Sequence, residues 1–175
     1  TSTTDYVYAL FAQVTMMFAN ENIPVAISFL RIWDTPDPYG AGTELTDLRN
    51  QAYGTTNGNL VHLLHAQGGG GVAYLNGLCD NTFNVGVSNI FGFFNNVPTY
   101  SWDVMVVTHE IGHNLSSSHT HDCVWNGNST QIDDCGNKFF DEDGDATTSP
   151  EPCYDNTNQI IPPNGGTVMS YCHLF

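Results

Sequence analysis

The amino-acid sequence predicts an α/β fold, and three observations carry that prediction. Residues 5 to 20 hold Val7, Leu10, Phe11, Val14, Met17 and Phe18 at helical spacing. Residues 25 to 33, from Val25 to Trp33, form an apolar run of strand length. Further short apolar segments then alternate with helical patterns, which points to a layered α/β sandwich.

The elements follow in order. The first helix ends in the stretch from Asn20 to Pro24. Residues 25 to 33 read as a buried strand that runs out in the Asp-, Pro- and Gly-rich segment from Trp33 to Gly42. Residues 43 to 53 form a helix capped by Thr43, and Asn59 to His65 a short strand. Gly68 to Gly71 is a hinge into a strand at Val72 to Leu75, and Val85 to Ile90 is another. Residues 101 to 115 form a helix with Ser101 as its cap and Asp103 in its first turn. Its buried face is Val104, Met105, Val107, Thr108, Ile111, Gly112 and Leu115. Beyond residue 120, irregular structure is expected. There is no internal repeat and no long linker, so the 175 residues read as a single domain.

The chemistry lies in residues 109 to 119, His-Glu-Ile-Gly-His-Asn-Leu-Ser-Ser-Ser-His. His109 and His113 are four apart, so a helix sets both imidazoles on one face, one turn apart. Zinc accepts neutral imidazole nitrogens at about 2.0–2.1 Å. Glu110, next to the first ligand, can sit beside a water on the metal and take its proton. A third ligand requires the helix to break. If the helix continued, His119 would lie roughly 280° round the axis from His109 and point away. The run Ser116-Ser117-Ser118 offers the break, because serine competes for its own backbone. Three histidines leave one position open, the catalytic arrangement rather than the closed structural one. His121, two residues past His119, is the competing third ligand. His62 and His65 read as structural residues or as a second metal pair, and His173 as a pocket or surface residue.

Together with Thr167-Val168-Met169-Ser170-Tyr171, this string resembles the metzincin zinc-peptidases. The closer resemblance, over residues 5 to 174, is to the adamalysin (reprolysin-like) branch, particularly its secreted bacterial members. It implies a twisted, mostly parallel sheet with an antiparallel edge strand and a long zinc-binding helix. It also implies an irregular, disulfide-tied C-terminal part with a methionine turn. The upper part would span about residues 1–115 and the lower part about 116–175. By the same resemblance His109, His113 and His119 hold Zn2+, Glu110 is the general base and Met169 is the methionine beneath the metal. Gly71, Val72, Ala73 and Tyr74 match the edge strand along which peptide substrates lie. Val168, with Leu115 and Tyr171, lines the pocket beyond the scissile bond. Four departures stand out. Ser116 replaces the family glycine, no strand precedes the first helix, and Thr120 follows His119 where Asp is common, with Asp122 two further on. The fourth, Tyr171, resembles the astacin and serralysin branches and either approaches the metal or walls the pocket.

Composition bounds the partners. Three Lys and Arg against 18 Asp and Glu give a formal charge of −15, which excludes nucleic acid and anionic membranes as partners. No apolar run is long enough to span a bilayer. A start at Thr1 without Met or signal peptide is expected of a processed mature domain, and relatives are commonly made with an inhibitory propeptide. Five cysteines suit an oxidising, extracellular compartment. The expected pairs are Cys123–Cys172 and Cys135–Cys153, which would tie the segment after the third histidine to the methionine turn and leave Cys79 over. Asp141, Asp143 and Asp145 form an acidic loop that either binds Ca2+ or is simply solvated. Asn114 and Asn128 begin glycosylation sequons. The sequence thus predicts a secreted, monomeric zinc endopeptidase acting on protein or peptide. A non-catalytic zinc-binding interaction domain is the alternative, and an amidase a weaker one.

Overall fold

The helical pattern near the N-terminus becomes α1, Thr3–Asn20, in the computed structural model, which describes residues 2–52, 58–137 and 151–174. Ser2 caps it: its hydroxyl accepts from the Asp5 amide while the Asp5 carboxylate accepts from the Ser2 amide, both at 3.1 Å. Leu10, Val14 and Phe18, four apart, form its buried stripe. α2 is Glu44–Ala52, and the Thr43 hydroxyl donates to the Asp47 carboxylate at its start (2.8 Å). Three strands follow, β1 Val61–His65, β2 Gly71–Ala73 and β3 Val85–Asn89, and then α3, Trp102–Asn114. Among the described residues the last element is a 3-10 turn at Cys172–Leu174.

The described residues divide into two compact units, Thr1–Ser116 and Ser117–Phe175. In the first, the sheet order is β1-β3-β2. β1 pairs with β3 in parallel, with Leu63 opposite Val87, and β2 pairs with β3 antiparallel, with Val72 opposite Val87. The antiparallel strand therefore lies at an edge. Leu10, Val14 and Phe18 of α1 pack with Val104, Val107 and Ile111 of α3 and with Ile90. Leu48 and Ala52 of α2 pack with Leu63, Val85 and Val87 of the sheet. These two clusters fix α3 beside β2 and β3, which positions the histidine-bearing end of α3.

Two expectations fail here. Residues 25–33 form no strand. A strand needs a ladder partner, and among the described residues none pairs with this run, so Phe29 is 81% exposed and Arg31 stacks over Trp33 at 4.6 Å. Ser101 occupies the cap position of α3 in extended geometry but makes no capping bond, and its hydroxyl donates to the Asn95 carbonyl instead. Asp103, in the first turn of α3, does the local work. Its fully buried carboxylate accepts from the amides of Phe91, Gly92 and Phe93 and from the Tyr6 hydroxyl. Burial next to Asp103 raises the Tyr6 phenol well above its ordinary value, so it stays a donor.

Among its described residues the second unit has little regular structure. Cys123 bonds to Cys153 and Cys135 to Cys172, so the expected pairing is crossed. Cys172 follows Ser170, whose hydroxyl accepts from the Cys172 amide, and this turn delivers its sulfur to the buried Cys135. Cys79, in the first unit, is a free, exposed thiol. Asp134 accepts from the Gln131 amide nitrogen (2.8 Å) and from the Ile160 amide (2.7 Å). Asn128 lies on the exposed turn between Trp125 and Thr130. Among the described residues, no helix is long and apolar enough to cross a membrane.

Candidate metal centre

The i, i+4 spacing of His109 and His113 on α3 brings their rings to 4.7 Å between centroids, at 88° to each other. His109 is buried and His113 half-buried. Glu110, between them in sequence, is buried as well, and its Oε2 has no hydrogen-bond partner among the described residues. Burial pushes its carboxyl up to about 8. The Glu110 side chain lies against the backbone of Gly71 at the start of β2: a Cβ at Gly71 would come within 2.5 Å of Glu110 Oε1. Glycine at residue 71 is therefore required for the carboxylate to reach the sheet edge.

The C-terminal end of α3 is fixed by the segment after β2. The Asn76 amide donates to the His113 carbonyl, and the Leu78 amide to the Asn114 carbonyl (3.0 and 2.9 Å). The fully buried Asn114 donates its side-chain amide to the carbonyls of Tyr74 and Val85. This asparagine is a structural clamp, and its sequon is closed to modification. The helix stops at Asn114, and Ser116 adopts φ 78°. That left-handed conformation costs a non-glycine residue about 1 kcal/mol or more. The Ser116 amide donates to the His113 carbonyl, and its hydroxyl bonds to Asn76 Oδ1 at 2.7 Å, which offsets the cost. The chain thus turns at residue 116 without the family glycine, and no helix runs on through the serines.

In the second unit His119 is held at both ends of its peptide. Its amide donates to Asp122 Oδ2 (2.9 Å), and its carbonyl accepts from the Trp125 indole (2.7 Å). Tyr171 Oη lies 3.3 Å from His119 Nε2, and the His121 ring stacks on His119 at 5.0 Å. His121 is buried, which lowers its pKa against the opposing pull of Asp122, Asp133, Glu151 and Asp134. His119, His121 and Asp122 offer donor atoms within 4.8 Å of one another. Asp133, Cys135 and Cys172 also cluster, but their sulfurs are spent in the disulfide. The Met169 carbonyl accepts from the Thr120 amide (3.2 Å), and the Ser170 amide closes a turn onto Thr167 (3.0 Å). Val168 and Met169 are half-buried.

Other expected site residues separate into groups. Val72 and Gly71 are exposed on the edge strand, Ala73 is half-buried, and the Tyr74 ring turns away to Phe83 and Arg49. His62 and His65, an odd number of positions apart on β1, face opposite ways and form no metal pair. His62 bonds to Ser88 (2.8 Å), and burial lowers its pKa to about 4. His65 lies between Asp37 and Glu44. Asp141, Asp143 and Asp145 fall outside the described residues. Sequence reasoning missed Asp103 and Asn76 as structural anchors and read Asn114 only as a sequon. A buried-face position occupied by Asp or Asn was the available signal.

Comparison with known proteins agrees with this chemistry. The family model described as Metallo-peptidase family M12 matches residues 1–173. Snake venom metalloproteinase TM-1 of Protobothrops mucrosquamatus is 31% identical over 133 residues, covering 66% of this chain. The match spans 61% of that relative's length. With the match extending over nearly its whole length, the chain belongs to metallo-peptidase family M12, as a reprolysin-like metzincin.

Proposed function

We propose that this chain is a zinc-dependent endopeptidase, with His109, His113 and His119 as the metal ligands. The observation that carries the reading is Glu110: a buried carboxylate with an unpartnered oxygen, between two ligand-spaced histidines and against the open sheet edge. A purely structural metal site has no use for such a group. Two imidazoles one helical turn apart fit zinc, and the turn at Ser116 removes the helical geometry that would carry His119 away. Bound zinc would supply Lewis acidity to the scissile carbonyl and make the attacking water more acidic. Glu110 takes the proton of that water and passes it to the leaving amine. Beside a bound cation the Glu110 carboxyl would be held in its basic form, against the burial that raises it.

A peptide substrate would extend along Gly71, Val72 and Ala73, with Tyr74 anchoring the end of the edge strand, its backbone completing the sheet by strand addition. The side chain after the scissile bond would enter an apolar pocket that includes Val168, above the turn at Met169. Tyr171, held near His119 Nε2, would donate to the developing oxyanion. We further infer that the two units serve one catalytic domain, secreted as a monomer and kept latent by a propeptide. Calcium on Asp141, Asp143 and Asp145 belongs to the same proposal.

The test is Glu110→Gln. It should keep one zinc per chain by elemental analysis and lose between about a hundredfold and ten-thousandfold in peptide turnover. Chelator should abolish wild-type digestion of a peptide library. Substantial turnover by the zinc-loaded variant would sink the assignment.

A further inference from the structure

Beyond β2 the first unit carries an aromatic surface that the proposed chemistry does not use. Phe91 and Phe93 are 55% and 72% exposed, with ring centroids 6.2 Å apart, and Phe91 is also 6.2 Å from Trp102. Exposed aromatics on a loop are usually loose, but these are clamped. Asp103, fully buried, receives the three consecutive amides of residues 91–93 at 2.9 to 3.1 Å. The Trp102 indole is tied to the Asn89 carbonyl at 2.8 Å. The fold thus holds apolar rings rigidly against water, which costs free energy unless something covers them. A preformed surface also lowers the ordering cost of binding.

Its position relative to Glu110 follows from the glycine run. Glu110 lies against Gly71, and the Phe91 ring lies against Gly68, where a Cβ would come within 2.6 Å of it. Three residues separate the two points, at most about 10 Å of chain. A Cβ at Gly69 or Gly70 would meet nothing within 4 Å, so the path between them is clear. Gly68, Gly69 and Gly70 all have positive φ, and Gly70 is tied to β3 through the Asn89 amide. Antiparallel pairing is the more stable mode of strand addition. A peptide lying antiparallel to β2 with its reacting carbonyl at Glu110 sends its C-terminal side past Gly70 and Gly69 toward Phe91.

We propose that Phe91 and Phe93 form a distal substrate subsite that takes a bulky apolar side chain about three residues beyond the scissile bond. This rests on the endopeptidase reading and names its substrate class: extended peptides with an apolar residue at that position. Among the described residues the Lys and Arg side chains are Arg31, which lies over Trp33, and Arg49, which bonds to Tyr74 and lies over Phe83, so neither favours an acidic side chain here.

The experiment uses the zinc-loaded chain and quenched fluorogenic peptides identical except for Phe, Gly or Asp at the third position after the cleaved bond. A fourth peptide ends after the second position. Wild type should cleave the Phe peptide with kcat/KM about tenfold above the Gly peptide, the size expected for covering one apolar side chain. Phe93→Ala and Phe91→Ala should lose that preference and leave the short peptide unchanged. Binding of the same peptides to Glu110→Gln, followed by tryptophan fluorescence, should show the same ranking without turnover. Cleavage by wild type with no third-position preference, or a preference that survives in Phe91→Ala/Phe93→Ala, overturns this inference alone. Failure to cleave or bind any peptide overturns the endopeptidase reading and this subsite with it.

Discussion

The two units are held together by different physics. Among the described residues, the first buries Leu10, Val14, Phe18, Val85, Val87, Val107 and others between helices and sheet. In the second, the only buried apolar side chains among the described residues are Cys135 and Cys172, the two halves of one disulfide. The other side chains buried among its described residues are polar: Thr120, His121, Gln131, Asp133, Asp134, Asn137 and Ser170. A segment with so little apolar burial must be ordered by covalent closure and by satisfied hydrogen bonds. The difference shows in the histidines: His109 and His113 ride on a helix packed into an apolar core, while His119 is set by local bonds to Asp122 and Trp125.

Removing the Cys135–Cys172 bridge strikes at this contrast hardest. It closes a separation of 37 residues, so replacing both cysteines with alanine should cost about 4 kcal/mol. Hydrogen exchange should rise steeply across 117–137 and 151–174 and least in α1 and β3. Equal loss of protection everywhere would show that the units do not differ in this way.

A pH titration probes the first unit through His62. Its folded pKa of about 4 lies below the ordinary value near 6.5. The unfolded chain takes up this proton first as pH falls, so stability is complete above about 6.5 and is lost progressively toward 4. The His62 share is at most about 3 kcal/mol. Chemical denaturation with chelator present should therefore show a shallower acid loss for His62→Gln than for wild type. Parallel curves would mean that the imidazole is not desolvated.

The smallest effect tests the junction itself. Ser116→Gly should change stability by less than about 1 kcal/mol, because relief of the positive φ is balanced by the lost bond to Asn76 and a freer unfolded chain. Ser116→Val, β-branched at φ 78°, should cost clearly more. Equal melting temperatures for the glycine and valine variants would show that residue 116 is not held in the left-handed region.

Much of this was legible in the sequence, and for local reasons. Helical spacing gave α1 and α3 to within a few residues, because a helix makes its hydrogen bonds within its own segment. The spacing of His109 and His113 on one helix face, with Glu110 between them, could be read for the same reason. Strands and bridges were less legible because their partners lie elsewhere in the chain. Residues 25–33 have strand composition, yet no strand forms there. The cysteines were all visible, yet their pairing was crossed, since any of several connectivities satisfies the same spacing.

The sequence by itself determined the residues of the proposed chemistry: the helix-spaced His109 and His113, Glu110 between them, and the serine run before His119. Only the tertiary structure decided how it stops, with Ser116 at φ 78° braced on Asn76. It alone decided that Asn114 clamps α3 to the sheet, that Asp103 fixes the aromatic loop, and that Glu110 reaches the edge strand across Gly71. Each of these depends on a contact between residues distant in sequence, where spacing carries no information and only packing settles the partner.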